Sequence, residues 1–154
     1  MPTSYPVLKK LSGFSLAISL AVSLAACGGG SDKTGAAVST FNATLSNLSN
    51  VAGLSSPATL ASFDASYMDA GYTRAMLVAE LAANADALQT NPDLSLFPGG
   101  TLSNVVIAGC DIKNVCTMTA TLTNSDADVT AVDFSTKVVL SNGTYLLLGD
   151  QAAS

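Results

Sequence analysis

CTMTATLT, residues 116–123, alternates an apolar side chain or cysteine with threonine at every step. Successive side chains of a β-strand point to opposite faces, so this alternation predicts a strand with one apolar face and one threonine face. Residues 102–110 predict a second strand just before it, and Cys110 and Cys116 flank the short loop between the two. The second half of the chain is therefore expected to form a sheet.

The two cysteines suggest a register for this hairpin. We place Cys110 opposite Cys116, because the sulfur atoms and the apolar side chains then share one face. The register pairs Ala108 with Met118, Val106 with Ala120 and Asn104 with Leu122. A disulfide between strands of this kind is expected to contribute about 2 kcal/mol by closing a short loop.

Two further strands follow residues 124–128, NSDAD, which predict a turn. Alternation from Val132 to Leu140 predicts the third strand. Asn142-Gly143 is the strongest turn signal in the chain, because a type I′ turn needs positive φ at both positions. It predicts a fourth strand over residues 144–149, with Leu140 opposite Tyr145 and Val138 opposite Leu147. The result is a four-stranded antiparallel meander.

The same register leaves Val139, Leu146 and Leu148 together on the opposite face of the sheet. Three large apolar groups are too many for a freely solvated face. We expect this face to meet a second chain, giving a homodimer, or a strongly curled part of the same sheet.

Helical periodicity precedes the strands. Residues 36–54 place apolar groups at helical spacing, although the intervening Ser, Thr and Asn also allow a continued disordered tether. Ser56-Pro57 predicts the start of a second helix, with Leu60, Phe63, Tyr67 and Met68 on one face and a left-handed stop at Gly71.

Thr73 predicts the cap of a third helix, which shows Leu77, Leu81, Asn84 or Ala85, and Leu88 on one face and ends at Asn91-Pro92. Residues 94–100 predict a loop. The predicted class is α+β: a signal helix, two to three helices, then the meander.

The N-terminus carries an export signal. Lys9 and Lys10 precede the uncharged residues 11–26, a run shorter than the roughly 20 apolar residues that a membrane span needs. The run ends in Leu24-Ala25-Ala26-Cys27, which resembles the lipobox of bacterial lipoproteins. The resemblance implies cleavage before Cys27, a diacylglyceryl thioether on its sulfur, and usually acylation of the new amine. A plain signal peptide with an incidental cysteine and an uncleaved anchor are the alternatives.

The chain is therefore predicted to consist of a signal peptide over residues 1–26, a lipidated cysteine with a flexible tether over residues 27–35, and one α+β domain over residues 36–154. Gly28 follows the cysteine, where an Asp would resemble an inner-membrane retention signal. The outer membrane, facing the periplasm, is therefore the expected location. In an exported protein the remaining cysteines, Cys110 and Cys116, most simply form one disulfide.

Charge and composition exclude several functions. The chain has six basic and eleven acidic residues; without Lys9 and Lys10 the mature chain keeps four basic and eleven acidic residues, a net charge of −7. This balance argues against nucleic acid or an anionic lipid surface as a partner. There is no histidine, which removes Ser-His-Asp and Cys-His nucleophilic sites and the usual zinc ligands. Asp126, Asp128 and Asp133 lack the glycine and the final glutamate of an EF-hand, so no metal and no cofactor are expected.

A second, weaker resemblance covers residues 57–151. A long helix on a curled sheet resembles the nuclear transport factor 2-like and cystatin-like cone folds. Asp69-Ala70-Gly71-Tyr72-Thr73-Arg74 and the stretch from Asn142 to Gln151 look similar to proteobacterial lipoproteins of the first type, with Asp150 in place of Asn and Tyr145 in place of the usual Trp. The resemblance implies a cone whose mouth could receive Asp64, Tyr67 and Tyr72. No catalytic residue of the enzymes that share these cone folds matches this sequence, so none is assigned.

The sequence thus predicts an envelope lipoprotein with a non-catalytic domain that binds a protein or small ligand, or that only dimerises and spaces. The alternative is a cone-fold enzyme or small-molecule carrier. An open, polar-lined interior between helix and sheet would favour the alternative, and a packed apolar interior would favour the first.

Overall fold

The computed structural model describes residues 31–91, 99–124 and 131–152. Helices come first in the chain, and a four-stranded sheet follows, so the α+β class is confirmed. The helices are α1 (Ser31–Leu48), α2 (Val51–Leu54), α3 (Pro57–Leu60) and α4 (Arg74–Thr90). The strands are β1 (Met68–Asp69), β2 (Tyr72–Thr73), β3 (Gly100–Ala108), β4 (Val115–Asn124), β5 (Val132–Ser141) and β6 (Thr144–Gly149).

The four long strands form an antiparallel sheet in the order β3-β4-β5-β6, which confirms the predicted meander. On β4, Cys116, Met118 and Ala120 are buried while Thr117 and Thr119 are exposed, so the alternation that predicted this strand also orients it. One face of the sheet is therefore the apolar wall of the core.

The predicted register of β5 and β6 is confirmed. Leu140 lies opposite Tyr145 and Val138 lies opposite Leu147. The turn between the strands has positive φ at both central residues, 50° at Asn142 and 82° at Gly143. A type I′ turn requires these two angles, so the Asn-Gly signal fixed the register locally.

The predicted register of β3 and β4 is wrong. Ile107, not Ala108, lies opposite Met118, and Leu102, not Asn104, lies opposite Leu122. The register shifts between Ser103 and Val106, where Asn104 has a φ of 52°. A bulge of this kind changes which side chains face inward. Here it turns the larger apolar groups Leu102, Val105 and Ile107 towards the core.

Helix α1 fills the concave side of the sheet. Ala37 and Phe41 are each 2% exposed and belong to one core with Met118 and Val138, both fully buried. The helix begins at Ser31 rather than at the predicted Ala36, so residues 31–35 of the predicted tether are helical. It also breaks after Leu48, and a separate one-turn helix, α2, follows after the cap residue Asn50.

Helix α1 reaches both edges of the sheet, β3 at one and the segment beside β6 at the other. The Asn42 side chain bonds the backbone of Leu102 on β3, accepting from its N–H at 2.7 Å. Two residues further along, Thr44 and Ser62 share a hydrogen bond of 2.6 Å. Ser62 lies beside β6, because its carbonyl accepts from the Leu147 N–H at 2.8 Å. Helix α1 therefore spans the sheet from β3 to the segment that pairs with β6.

The predicted helix from Pro57 to Met68 is wrong beyond its first turn. Ser56 does cap α3, accepting from the Thr59 N–H at 3.2 Å, but the helix ends at Leu60. Phe63 instead forms a parallel bridge with Leu147 on β6. The edge of β6 gives this segment two backbone hydrogen bonds, from the Asp64 N–H to the Leu147 carbonyl and from the Leu147 N–H to the Ser62 carbonyl, so tertiary contact overrides the helical periodicity.

The residues expected to end that helix form the β1–β2 hairpin. Ala70 and Gly71 are its two turn residues, with φ values of 48° and 79°. Gly71 was correctly predicted to be left-handed, although it turns a hairpin rather than ending a helix.

Helix α4 matches its sequence signals. Thr73 caps it, accepting from the Met76 N–H at 3.4 Å, and the helix ends at Thr90 before Asn91-Pro92. Leu81 and Ala85 are buried with Leu54 of α2 in a second, smaller core. The signal peptide, Cys27, residues 94–98 of the predicted loop and residues 125–128 of the predicted turn lie outside the described residues. Gly100, predicted in the loop, begins β3, and Asn124, predicted in the turn, ends β4.

The second apolar face of the sheet is partly covered by the chain itself. Leu148 is 6% exposed, and Val139 and Leu146 are half-buried. The register of β5 and β6 shifts next to Leu148, since Lys137 pairs with Gly149 and Val138 with Leu147. The predicted homodimer stays a prediction.

Candidate functional site

Asp64 was predicted to face a cavity, and its carboxylate instead stabilises its own turn. One oxygen accepts hydrogen bonds from the Ser66 N–H at 2.9 Å and from the Ser66 hydroxyl at 2.5 Å. This arrangement is an Asx turn, which follows the edge-pairing segment 62–64. The side chain therefore has a local structural role.

Tyr67 is half-buried and packs edge-on against Phe63, with ring centroids 5.1 Å apart and an interplanar angle of 85°. Burial, and then the nearby carboxylates of Asp69 and Asp150, raise the pKa of Tyr67 to about 12. The phenol is consequently protonated at neutral pH and is not available as a general base.

Tyr72 also keeps its proton. Its hydroxyl donates to the Glu80 carboxylate and lies 3.3 Å from the Met76 carbonyl on α4. Burial, the hydrogen bond to Glu80 and the charge of Glu80 raise the pKa of Tyr72 to about 12. Glu80 was not predicted as a partner, because the pairing depends on how the β1–β2 hairpin meets α4 and leaves no local pattern.

The two stretches that carried the weaker resemblance are in direct contact. We call residues 68–71 together with residues 149–152 the tail clasp. The Asp150 carboxylate accepts from the Ala70 N–H at 2.9 Å and from the Ala152 N–H at 2.7 Å, and the Asp150 N–H donates to Asp69 at 3.1 Å. The Gly71 N–H donates to the Ala152 carbonyl at 2.8 Å.

Gly149 lets the tail clasp close. Its φ is 78°, and a Cβ atom there would lie 2.1 Å from the Met68 carbonyl oxygen. Arg74, just after the hairpin, is bound to carbonyl groups of Leu60 and Phe63 at 3.1 and 3.3 Å. The residues that carry the weaker resemblance thus join one backbone segment to another, so their role in this fold is structural and not chemical.

The interior between α1 and the sheet is filled. Phe41, Met118 and Val138 are each at most 2% exposed at its centre. A shallow depression of about 150 Å³ lies on the opposite face of the sheet, lined by Thr117, Ser135, Thr136, Lys137 and Asp150. Sites for small molecules usually measure roughly 300–1,000 Å³, so this depression is small for a ligand pocket.

The predicted disulfide between Cys110 and Cys116 is present. It joins the exposed Cys110, beyond the end of β3, to the buried Cys116 on β4. The two cysteines are not the directly opposed strand pair that was predicted, because β3 ends at Ala108, opposite Thr117, and Gly109 then turns the chain with a φ of 65°. We call residues 109–115 the disulfide loop.

The disulfide loop is held in one shape by Asp111. Its carboxylate accepts from the N–H groups of Lys113 and Val115 at 2.7 and 3.0 Å. Asp111 and Asn114 close the turn through a 3.0 Å backbone hydrogen bond, and the Asn114 carbonyl accepts from the Leu140 N–H on β5 at 3.0 Å. The side chain at the tip of this turn is Ile112.

Ile112 is 99% exposed, the most exposed large apolar side chain in the described part of the chain. Burying an isoleucine is worth roughly 1.5–3 kcal/mol, and the domain itself does not use this free energy at Ile112. Sequence reasoning missed it. The signal was a single isoleucine between two charged residues in a cysteine-flanked loop.

Within the described ranges, no three Cys, Asp or Glu side chains gather in a group that could hold a metal ion. Asp133 accepts from the Thr121 hydroxyl at 2.7 Å across β4 and β5, while Asp126 and Asp128 lie outside the described residues. Among residues 31–91, 99–124 and 131–152, the helices fall short of the length and apolarity that crossing a bilayer requires.

The fold is therefore an α+β domain with one helix wrapped by a curled antiparallel meander and a short hairpin that meets the end of the last strand. No family model, curated protein or solved structure matches this chain.

Proposed function

We propose that this chain is an envelope lipoprotein, held to a bilayer by lipid on Cys27, whose α+β domain is a non-catalytic binding or scaffolding module. The observation that carries the anchor is Leu24-Ala25-Ala26-Cys27 at the end of an uncharged export signal. Two or three acyl chains hold a protein to a membrane durably, whereas one gives only marginal binding. The proposed location is the outer membrane, on its periplasmic face.

The filled interior supports a binding or scaffolding module over a cone-fold enzyme or carrier. An enzyme of that kind would need room between α1 and the sheet, and Phe41, Met118 and Val138 occupy that space. The acids and phenols predicted for a cavity mouth are also engaged elsewhere. Asp64 caps its turn, and the pKa values of Tyr67 and Tyr72 are raised to about 12.

The anchor is tested by Cys27→Ser in the full chain, expressed in a bacterium fed labelled palmitate. We expect the variant to remain an unprocessed precursor without label, because the thioether needs the cysteine sulfur. Ser23→Ala is the matched control, since it changes the same signal and leaves residues 24–27 intact. Normal processing of Cys27→Ser would refute the lipid anchor.

A further inference from the structure

We propose that the disulfide loop rests against the bilayer, with Ile112 entering the lipid interface and Lys113 meeting lipid phosphate. The proposal rests on the proposed function, because it takes the anchor at Cys27 as its starting point. Its other support is the geometry of α1 against β3, which decides which end of the domain faces the membrane.

Helix α1 runs antiparallel to β3. Leu45 packs near Gly100, at the start of the strand, and Asn42 bonds the backbone of Leu102 two residues further along. Decreasing residue numbers on α1 thus match increasing numbers on β3. Ser31 lies about 16 Å along the helix from Asn42. Ala108 lies about 20 Å along the strand from Leu102. The start of α1 and the disulfide loop therefore lie at the same end of the domain.

The anchor cannot be far from that end. Four peptide links join Cys27 to Ser31, where α1 begins, and they span at most about 14 Å. A lipid on Cys27 therefore holds the start of α1 close to the bilayer surface, and the disulfide loop is brought to the same surface.

The loop is built to display its tip. Asp111 accepts two backbone N–H groups and the Asn114 carbonyl bonds β5, so the turn keeps its shape without help from Ile112. Ile112 is 99% exposed in the described chain. An aliphatic group held beside a lysine suits the boundary between acyl chains and headgroups, where the apolar part enters and the ammonium stays with the phosphates.

Charged side chains of both signs lie near the loop end. Lys33, in the first turn of α1, and Lys113 are both exposed at this end. In sequence Asp32 and Asp111 stand beside these lysines. Gly149, next to Asp150, is level with Ala108, because it pairs with Lys137, Lys137 pairs with Thr117 and Thr117 pairs with Ala108. Asp64, Asp69 and Asp150 surround the tail clasp and the turn before it, Glu80 and Asp86 lie on α4, and Asp133 lies beside Thr121. The charges near the loop therefore balance, and the proposed contact depends on the apolar side chain of Ile112 and on Lys113 beside it, not on a net positive charge at this end.

The test uses tryptophan as a reporter, because the chain has none. Ile112→Trp is made in the full chain, purified with its lipid and placed in vesicles of phosphatidylethanolamine and phosphatidylglycerol. Met76→Trp is the matched control, since Met76 is 50% exposed on α4 near the tail clasp. Mass spectrometry of each sample reports the lipid on Cys27 independently.

We expect the Ile112→Trp emission to shift to shorter wavelength and to be quenched by lipids brominated on their acyl chains. The Met76→Trp emission should show neither change. Adding Lys113→Glu to the Ile112→Trp chain should reduce the quenching, and adding Lys137→Glu, on the outward face of β5, should not.

The failures are distinguishable. If Cys27 carries lipid and the Ile112→Trp reporter behaves like Met76→Trp, the membrane contact is overturned while the proposed function stands. If that reporter shifts only in native envelope membranes and not in pure lipid, the occupant is a protein, and the contact with lipid is again overturned. If Cys27 carries no lipid, the proposed function fails and the loop proposal fails with it.

Discussion

Two aspartates organise two turns in this chain with opposite results. Asp111 accepts N–H groups only two and four residues ahead of it and closes the disulfide loop on itself. Asp150 accepts the N–H of Ala70, 80 residues earlier, and joins the last strand to the β1–β2 hairpin in the tail clasp. The turn that Asp111 closes leaves Ile112 exposed, whereas the contact that Asp150 makes buries Gly149. Hydrogen bonds alone do not tell which turn stabilises the fold and which displays a surface.

The comparison predicts that the tail clasp is far more sensitive to added volume than other left-handed turns. Gly149→Ala places a Cβ atom against the Met68 carbonyl at a positive φ, so we expect a loss of about 3 kcal/mol or more in unfolding free energy. Urea denaturation followed by circular dichroism measures it.

Gly143→Ala is the matched control. Gly143 also has a positive φ, 82°, but nothing lies within 4 Å of a Cβ there. Only the backbone penalty remains, about 1–2 kcal/mol. Equal losses for the two variants would show that the tail clasp is not tightly closed.

Reducing the disulfide is expected to have the next largest effect. The bridge between Cys110 and Cys116 closes a loop with a sequence separation of 6, and its loss should cost about 2 kcal/mol in unfolding free energy. Because β4 and the turn at Asp111 have their own hydrogen bonds, the reduced chain should stay folded. Urea midpoints with and without reductant measure the change, and loss of the sheet spectrum on reduction would contradict it.

The tyrosines near the tail clasp predict a pH dependence. Tyr67 and Tyr72 have pKa values of about 12 in the folded chain against 10 in the unfolded chain. Their stabilisation is complete below pH 10 and is lost as the pH rises through 12. We expect the urea midpoint to fall across that window.

The double variant Tyr67→Phe with Tyr72→Phe is the control, because it removes both titrating phenols. It should flatten much of the decrease between pH 10 and 12. An equally steep decrease of the urea midpoint in the double variant would show that groups other than Tyr67 and Tyr72 cause the loss of stability.

The smallest expected effect is at the tip of the disulfide loop. Ile112→Ser should change the unfolding free energy by less than about 0.5 kcal/mol, because the side chain is 99% exposed. Met118→Ala, at a fully buried methionine, should lose about 2–5 kcal/mol in the same assay. A large loss for Ile112→Ser would mean that the isoleucine serves the fold and is not free for a partner.

Much of the fold could be predicted from local signals. Alternation identified the strands, Asn142-Gly143 fixed the β5–β6 register, and Ser56 and Thr73 marked helix starts. Each of these depends on residues close in sequence, where steric and hydrogen-bonding rules apply directly.

The misses share a physical cause. Residues 61–68 show helical periodicity but pair with or lie beside β6, and the bulge at Asn104 shifts β3 to bring Ile107 inward. Both outcomes are decided by tertiary contacts that no local pattern encodes. The same limit applied to the candidate site, where the partner of Tyr72, Glu80, follows from how the β1–β2 hairpin meets α4.

The central claim is that a lipid on one sulfur atom fastens this domain to a bilayer. Mass spectrometry of the N-terminal peptide from the native protein tests it most directly. The account predicts a mature chain that starts at Cys27 and carries a diacylglyceryl thioether. A free thiol at Cys27, or cleavage at another bond, would contradict it.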